Sequence, residues 1–203
     1  MKSKIGIIVL AAGSSSRLGE SKQLLAYKGK SLLKHAVQQA VASKCVPTLV
    51  VLGARFESHM MEIENEPAHI EVNSEWERGI GTSIACGVRT LVAQQNTLEA
   101  VVIMLCDQPF IDSDLINQLI AESDKSEKGI VACRYGNTIG TPALFNRKYF
   151  GDLQELKENA GAKALFGRYS GDLQTIDFPL GETDIDTQLD YKKLLSSKKT
   201  IEN

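Results

Sequence analysis

The sequence predicts an α/β fold in which helices cover both faces of one mostly parallel sheet. Two observations carry this prediction: short apolar runs alternate with segments of helical periodicity, and the first run is continuously apolar and rich in β-branched residues. A third observation, the turn signal Tyr135-Gly136-Asn137 between two strand-like runs, adds a small antiparallel portion.

The elements follow in order along the chain. Apolar runs predict strands at Ile5–Ala11, Thr48–Leu52, 70–72, Ala100–Leu105, 129–134, 139–145 and 174–178. Helical spacing and capping residues predict helices at 31–42, 83–92, 113–122, 148–157, 162–166 and 188–195, the third after a cap at Asp112 or Ser113. Loops at the carboxyl ends of parallel strands are where such sheets bind ligands.

Length and charge limit the classes of protein to consider. The 203 residues fit one domain, which we place at 1–195, followed by a polar tail at 196–203. A net charge of −2 argues against bulk binding to nucleic acid or to anionic lipid. No segment is long and apolar enough to span a membrane, and the apolar run near the N-terminus is too short for a secretory signal, so we expect a strand there.

The four cysteines are widely spaced and form no C-x-x-C pair. They are Cys45, Cys86, Cys106 and Cys133. A zinc site or a disulfide framework is therefore not expected, and the pattern predicts free, mostly buried thiols in a reducing cytoplasm.

The loop after the first strand carries the strongest signal of function. Small residues such as Gly13 and Ser14 let backbone N–H groups approach a ligand, and clusters of such groups bind phosphate oxygens. Arg17 offers a planar fork for phosphate and Lys22 a movable charge, so both can converge on one polyphosphate. The loop lacks the G-K-[ST] ending of a Walker loop and the G-x-G-x-x-G of a dinucleotide site. The alternative is an ordinary strand-to-helix turn with solvated charges.

The run LAAGSSSRLG followed by KQLL resembles the signature loop of the molybdenum cofactor cytidylyltransferases, which are related to the molybdopterin guanylyltransferases. The resemblance extends over essentially the whole chain. It implies a Rossmann-like three-layer sandwich of the nucleotide-diphospho-sugar transferase type. Ala12 matches the cytidylyl branch, whereas the guanylyl branch usually has glycine there. The nucleotide contacts that it implies are Leu10, Ala11, Ala12, Gly13, Ser14, Arg17, Lys22 and Ser83.

Carboxylates after two strands are candidates for a metal site. Asp107 follows the Ala100–Leu105 strand, where its carboxylate can hold a divalent ion or merely cap the next turn. The resemblance implies Mg²⁺ at Asp107, although Cys106 replaces the family's usual glycine. The family's D-I-D-T near the C-terminus supplies a second ligand; we favour Asp186, with Asp184 as the close alternative. The other role open to Asp186 is that of a helix cap.

Two further segments resemble the family pattern. Ser83 lies in the N-x-x-W-x-x-G-x-x-x-S segment and either contacts the nucleotide or only caps its helix. Trp76 either packs in the core, which we favour, or lines the pocket of the second substrate. Gly140, Thr141 and Pro142 match a G-x-P-x-L-F motif near the acceptor site. Glu158, Asn159 and Lys163 depart from the family's G-D-x-G-A-R, which leaves acceptor recognition the least secure. His35, His59 and His69 receive no role; we expect His35 at the surface or half-buried.

The resemblance implies transfer of CMP from CTP to the phosphate of molybdenum-bearing molybdopterin, with release of pyrophosphate. Arg17, Lys22 and Asp107 would be the catalytic residues, and a molybdoenzyme of the xanthine dehydrogenase type would receive the product. One alternative keeps the chemistry with GTP, or with a sugar or polyol phosphate as acceptor. Another is a non-catalytic carrier of the cofactor.

Overall fold

A computed structural model describes residues 4–15 and 18–197 of the chain. Its strands are β1 Ile5–Ala11, β2 Ala26–Tyr27, β3 Lys30–Ser31, β4 Thr48–Leu52, β5 His69–Val72, β6 Ala100–Leu105, β7 Ile130–Tyr135, β8 Thr138–Asn146 and β9 Leu173–Asp177. Its α-helices are α1 Leu32–Ala42, α2 Phe56–Ile63, α3 Ile80–Gln94, α4 Ser113–Lys125, α5 Phe150–Gln154, α6 Lys163–Arg168 and α7 Gln188–Ser197.

Seven strands form the main sheet, in the order β5-β4-β1-β6-β8-β7-β9. The pairs among β5, β4, β1 and β6 are parallel, and so is the pair of β7 with β9. Only β8 runs against its neighbours β6 and β7. The prediction of a mostly parallel sheet with a small antiparallel portion is therefore confirmed. The remaining strands, β2 and β3, pair as a separate hairpin.

Strand β1 alternates its side chains between two cores because successive residues of a strand point to opposite faces. Ile7 and Val9 pack with α1 and α4, whereas Ile8 and Leu10 pack with α3. All four are at most 5% exposed. Burial of one such side chain stabilises the fold by roughly 1.5–3 kcal/mol, so β1 is a rigid base for the loop that follows it.

A third, smaller core ties the C-terminal segment to the first loop. Its buried members are Leu18, Leu25, Tyr27, Leu32, Ile185 and Leu194. Residues that lie far apart along the chain are thereby held at the same edge of the sheet.

Several helices differ from their predicted limits. Helix α3 begins at Ile80 rather than at 83, because Gly79 adopts a φ of 114° as its N-cap and the following turn is already helical. Helix α2 was not predicted; it begins after Arg55, whose backbone is left-handed and whose side chain makes no capping hydrogen bond, so the usual start signal is missing. Helix α7 continues to Ser197, and the rest of the predicted tail, 198–203, lies outside the described residues.

The short elements between 147 and 168 are also displaced. The segment predicted as one helix at 148–157 is a turn of 3₁₀ helix followed by α5, which ends at Gln154. Helix α6 begins at Lys163 and continues to Arg168, one residue later and two residues further than predicted.

In the described part of the chain no helix has the length and apolarity needed to cross a bilayer. All four cysteines are free, as predicted, and Cys86 alone among them is only partly buried.

Candidate active site

Three chain segments meet beyond the carboxyl ends of the central strands. The first is the loop after β1, whose Ala12 carbonyl accepts a hydrogen bond from the N–H of Ala54 at 3.0 Å. The second is the end of β6, where the Cys106 N–H donates to the Leu10 carbonyl at 3.2 Å. The third is the segment that precedes α7. Backbone hydrogen bonds therefore fix the first two segments to the sheet.

Lys22 lies between two carboxylates that the sequence analysis had singled out. Its Nζ contacts Asp107 Oδ2 and lies 3.1 Å from Asp186 Oδ1. The Lys22 and Asp107 side chains are only 16% and 14% exposed. Burial opposes the charge on Lys22, but the adjacent Asp107 carboxylate outweighs it and holds the lysine pKa above its ordinary value. Lys22 is therefore a permanent cation in a site shielded from solvent.

Asp107 has an oxygen that suits a metal ion. Its Oδ1 is buried and has no hydrogen-bond partner among the described residues. A buried carboxylate oxygen is costly unless it binds a cation or a donor. Over residues 4–15 and 18–197, no three histidine, cysteine, aspartate or glutamate side chains group together as a complete metal site. One or two carboxylates completed by substrate phosphates are the usual way in which proteins hold Mg²⁺, and Asp107 with Asp186 fits that pattern.

Asp184 lies close to the same charges. Although Asp184 has exposed surface, the protein packed around it and the charges of Asp107 and Asp186 raise the pKa of its carboxyl to about 6. Asp186, not Asp184, makes the ion pair with Lys22. Asp107 and Asp186 thus contact the same ammonium group, which holds their carboxylates near one another.

A cavity of about 310 Å³ opens beside these charges. Most of the predicted nucleotide residues line it: Leu10, Ala11, Ala12, Gly13, Ser14, Lys22 and Ser83. Asp107, predicted as a metal ligand, lines it as well. The structure thus brings residues from β1, its loop, α3 and the end of β6 to one volume. Arg17, predicted as a phosphate ligand, lies outside the described residues.

Trp76 lines this cavity and is only half-buried, so the prediction that it belongs to the core is wrong. The reason is a close approach of backbone: a Cβ on Gly53 would lie 2.6 Å from Trp76 Cβ and 2.7 Å from the Ala12 carbonyl oxygen. Only glycine at position 53 lets the tryptophan segment pack against the loop after β1.

Ser83 does not cap its helix, which begins at Ile80. Its Oγ accepts a hydrogen bond from Asn73 Nδ2 at 3.0 Å, and Asn73 Oδ1 in turn accepts from the Glu75 N–H. Asn73 therefore fixes the position of the Ser83 hydroxyl at the cavity wall.

A second cavity, of about 200 Å³, adjoins the first and shares Leu10, Ile80 and Leu105 with it. Gly140, Thr141 and Lys163 line this cavity. Pro142 is buried in β8, where the register with β7 shifts; such an irregularity accommodates a residue that has no N–H to donate. Two of the three predicted acceptor residues thus face an open volume.

Two glutamines of the site are not among the residues predicted from the sequence. Gln23 lines the first cavity beside Lys22. Gln108 is 3% exposed; its Oε1 accepts from Thr141 Oγ1 at 2.9 Å and its Nε2 donates to the Gly181 carbonyl at 3.3 Å. The one signal in the sequence is position, because each glutamine directly follows a predicted site residue. His35 is buried, contrary to expectation, with its Nε2 3.2 Å from the Pro109 carbonyl oxygen.

Curated relatives match most of the chain. Nicotine blue oxidoreductase of Paenarthrobacter nicotinovorans is 32% identical over 141 residues, which are 69% of this chain and 66% of the relative. Purine catabolism protein PucB of Bacillus subtilis is 28% identical over 193 residues, which are 85% of this chain and 91% of the relative.

Solved structures match the whole fold. A homologue of Mycobacterium tuberculosis Rv0371c from Mycobacterium sp. strain JC1 aligns over 99% of this chain and 100% of its own, with 31% identity and a TM-score of 0.81. A manganese complex of Rv0371c itself aligns over 95% of this chain and 98% of its own, with 25% identity and a TM-score of 0.77. The family model of the MobA-like NTP transferase domain matches residues 7–173. The chain is a member of this nucleotidyltransferase family.

Proposed function

We propose that the protein transfers CMP from CTP to the phosphate of molybdenum-bearing molybdopterin and releases pyrophosphate. The observation that carries the proposal is the position of Lys22, which contacts Asp107 and Asp186 in the cavity lined by the small-residue loop. In this reaction an oxygen of the acceptor phosphate bonds to the α-phosphorus of CTP, and the bond from that phosphorus to the β-phosphate bridging oxygen breaks.

The reaction requires that negative charges be neutralised, and residues of this chain can do so. Two anions must meet and a third must leave, so positioning and electrostatic stabilisation matter more than a general base. Lys22 supplies a cation whose pKa is held above its ordinary value, and Ala12, Gly13 and Ser14 line the cavity, where their backbone N–H groups would bind phosphate oxygens. Arg17 would add a second cation, as the sequence motif implies.

Asp107 and Asp186 would hold a Mg²⁺ ion. When bound, such an ion neutralises phosphate charge and orients the reacting groups. The buried Asp107 Oδ1 supports this assignment, and the manganese complex of the related structure supports use of a divalent metal in this fold.

The two adjoining cavities support a donor and an acceptor side by side. CTP would occupy the larger cavity, with its triphosphate at Lys22, and the acceptor would enter the cavity lined by Gly140 and Thr141. Leu10, Ile80 and Leu105 line both volumes, which supports a position of the reacting phosphates near this shared wall. We place the protein in the cytoplasm, where free thiols such as those of Cys45 and Cys133 persist.

The name of one relative agrees with the proposed recipient of the product. PucB is named for purine catabolism, and a molybdoenzyme of the xanthine dehydrogenase type acts on a purine. We therefore propose that such an enzyme receives the cytosine dinucleotide cofactor.

Pyrophosphate release tests the proposal. Purified protein is incubated with Mg²⁺, molybdenum-bearing molybdopterin and either CTP or GTP, and pyrophosphate is measured over time. We expect release with CTP that depends on the acceptor. Release with GTP alone contradicts the base assignment, and release with a sugar or polyol phosphate in place of molybdopterin contradicts the acceptor. Full maturation of a target enzyme by an Asp107→Ala variant would instead favour a carrier.

A second candidate rests on the other relative, whose name is that of an oxidoreductase. The same cavity would then hold a nucleotide-containing reductant instead of CTP. Reduction of nicotine blue by a nicotinamide nucleotide, followed by absorbance, distinguishes the two. We expect no protein-dependent reduction.

A further inference from the structure

A buried amide fastens the backbone of the loop after β1. Gln23 is 1% exposed, and its Nε2 donates to the Gly13 carbonyl at 2.7 Å and to the Ala11 carbonyl at 3.3 Å. Its Oε1 accepts from Ser15 Oγ at 2.9 Å and from Ser21 Oγ at 2.8 Å. The side chain thus uses both of its donors and both lone pairs of its oxygen.

These partners fix which way the amide faces. Carbonyl oxygens only accept hydrogen bonds, so the NH₂ group of Gln23 must face the loop backbone and its oxygen must face the two serines. The Ser15 hydroxyl also accepts the Lys22 N–H at 3.0 Å, so the same network holds the backbone of the proposed phosphate-binding lysine.

His59 supports this network from α2. Its Nε2 lies 2.7 Å from Ser21 Oγ, and the side chain is 1% exposed. Because Ser21 gives its proton to Gln23, His59 must donate from Nε2, which is the neutral tautomer with Nδ1 unprotonated. Burial, and then the charge of Arg55, lowers the pKa of His59, in agreement with a neutral ring.

Because the peptide bond is planar, the hydrogen bonds from Gln23 to the two carbonyls also fix the direction of the neighbouring N–H groups. In a trans peptide the C=O of one residue and the N–H of the next point in opposite directions. The carbonyls of Ala11 and Gly13 face Gln23, so the N–H groups of Ala12 and Ser14 face away from it. These loop residues line the larger cavity.

The intervening peptide is held from a different side. The Ala12 carbonyl accepts from the Ala54 N–H at 3.0 Å, so the N–H of Gly13 points away from the segment after β4. Three consecutive peptide planes are therefore set by the protein before any ligand arrives, which lowers the ordering cost of binding an anion.

We propose that Gln23 is a positioning residue that presets the loop's N–H groups for the nucleotide's phosphates, with Ser21 and His59 as its support. The inference deepens the proposed function and rests on it. Gln23 acts through the backbone of the loop. Its loss should therefore weaken binding of phosphates more than binding of the nucleoside.

Calorimetric titration with two ligands tests this. We compare the dissociation constants of CTP with Mg²⁺ and of cytidine, for wild type, Gln23→Leu and Gln23→Glu. Leucine keeps the approximate size and removes every hydrogen bond, whereas a glutamate carboxylate turns an acceptor toward two carbonyls. We expect the CTP constant to rise roughly tenfold for Gln23→Leu and further for Gln23→Glu. The cytidine constant should change less than about twofold.

Two variants complete the design. Gln174→Leu is the matched control, because Gln174 makes its hydrogen bond to Glu122 outside the site and CTP affinity should not change. Ser21→Ala removes one hydrogen bond to Gln23 and serves if Gln23→Leu does not fold; we expect the CTP constant to rise about two- to fivefold.

The outcomes separate this inference from the proposed function. A wild-type protein that binds CTP, beside a folded Gln23→Leu or Ser21→Ala variant with unchanged CTP affinity, overturns the inference alone. Equal loss of CTP and cytidine affinity also overturns it, since that is the result expected of a merely structural residue. A wild-type protein that binds neither CTP nor GTP overturns both.

Discussion

The N–H of Ile185 donates a hydrogen bond to the carbonyl of Asp107 at 3.1 Å. Ile185 is fully buried and packs in the small core with Leu18 and Leu194. Because of this bond, Asp184 and Asp186 on either side of Ile185 are held beside Asp107, although they lie far from it in sequence. The proposed metal ligands are thus positioned by the packing of the fold rather than by a flexible tail.

Loss of the Lys22 charge should impair catalysis strongly. We expect Lys22→Ala to lower kcat/KM for nucleotidyl transfer by about 100- to 1,000-fold, the range typical of a lost electrostatic contact to a transition state. Steady-state pyrophosphate release measures the effect. Lys44→Ala, which removes an exposed lysine elsewhere, is the control and should retain wild-type kinetics. If Lys22→Ala keeps activity within threefold of wild type, Lys22 does not stabilise the transition state.

The two acidic residues before α7 should differ in their effect on metal dependence. Asp186 is the proposed second metal ligand, so Asp186→Asn should raise the Mg²⁺ concentration for half-maximal activity by about tenfold or more. Asp184→Asn should raise it less. Activity as a function of Mg²⁺ concentration gives both values, with Asp114→Asn on α4 as an exposed control. The opposite ranking would make Asp184 the second ligand.

The two buried histidines should make stability fall as the pH is lowered below about 6.5, against the opposite effect of Asp184, whose carboxyl has a raised pKa and therefore takes up its proton first in the folded chain. Burial lowers the pKa of His35 and of His59 from the ordinary value of 6.5, so the unfolded chain binds more protons than the folded chain just below that pH. The contribution of the neutral rings is complete above pH 6.5. It declines below that pH by at most about 1.4 kcal/mol per pH unit for each histidine.

Urea midpoints at pH 7.5, 6.0 and 5.0 check this prediction. His59→Gln should flatten the decline, whereas His69→Gln, at a more exposed position, should leave it as in wild type. A decline that is as steep in His59→Gln as in wild type would show that this buried imidazole does not control acid stability.

The thiols should react slowly in the folded protein. Burial raises the pKa of Cys45 to about 11 and that of Cys106 and Cys133 to about 12. Little thiolate is therefore present at pH 8. A disulfide reagent should modify Cys86 first, because it is only partly buried, and guanidinium should release the rest. Cys86→Ser should abolish the fast phase. Rapid modification of several native thiols would contradict the packing around them.

The central sheet could be predicted because its strands carry their signal locally. The bounds of Ile5–Ala11, Thr48–Leu52 and Ala100–Leu105 are confirmed to the residue. Each is a continuous apolar run, which is the pattern of a strand covered on both faces. The hairpin of β2 and β3 has only two residues in each strand, too few for any periodicity to show.

Helix α2 and the positions of two histidines are not predicted, because they depend on contacts with residues far away in the sequence. Helix α2 has no capping side chain, and His59 on it becomes meaningful only through its contact with Ser21. His35 is buried against the Pro109 carbonyl, a partner that no spacing in the sequence reveals. Such side-chain to backbone contacts are decided by tertiary packing.

Several residues of the site can be predicted from the sequence, and the structure adds others. Lys22, Asp107 and Ser83 were picked out from separate loops and line one cavity. Gln23 was passed over because its main partners are backbone carbonyls, which every residue possesses and no motif displays. The general tendency of tryptophan to be buried favours the core for Trp76, whereas the structure has it on the wall of the larger cavity, packed against Gly53.

A crystal structure of the protein with a non-hydrolysable CTP analogue and Mn²⁺ tests the central claim most directly, because anomalous scattering locates the metal. We predict phosphate oxygens against the backbone at 12–15 and Lys22 Nζ, with the metal on Asp107 and Asp186. A nucleotide bound at another face, or a metal that contacts neither carboxylate, would contradict the account.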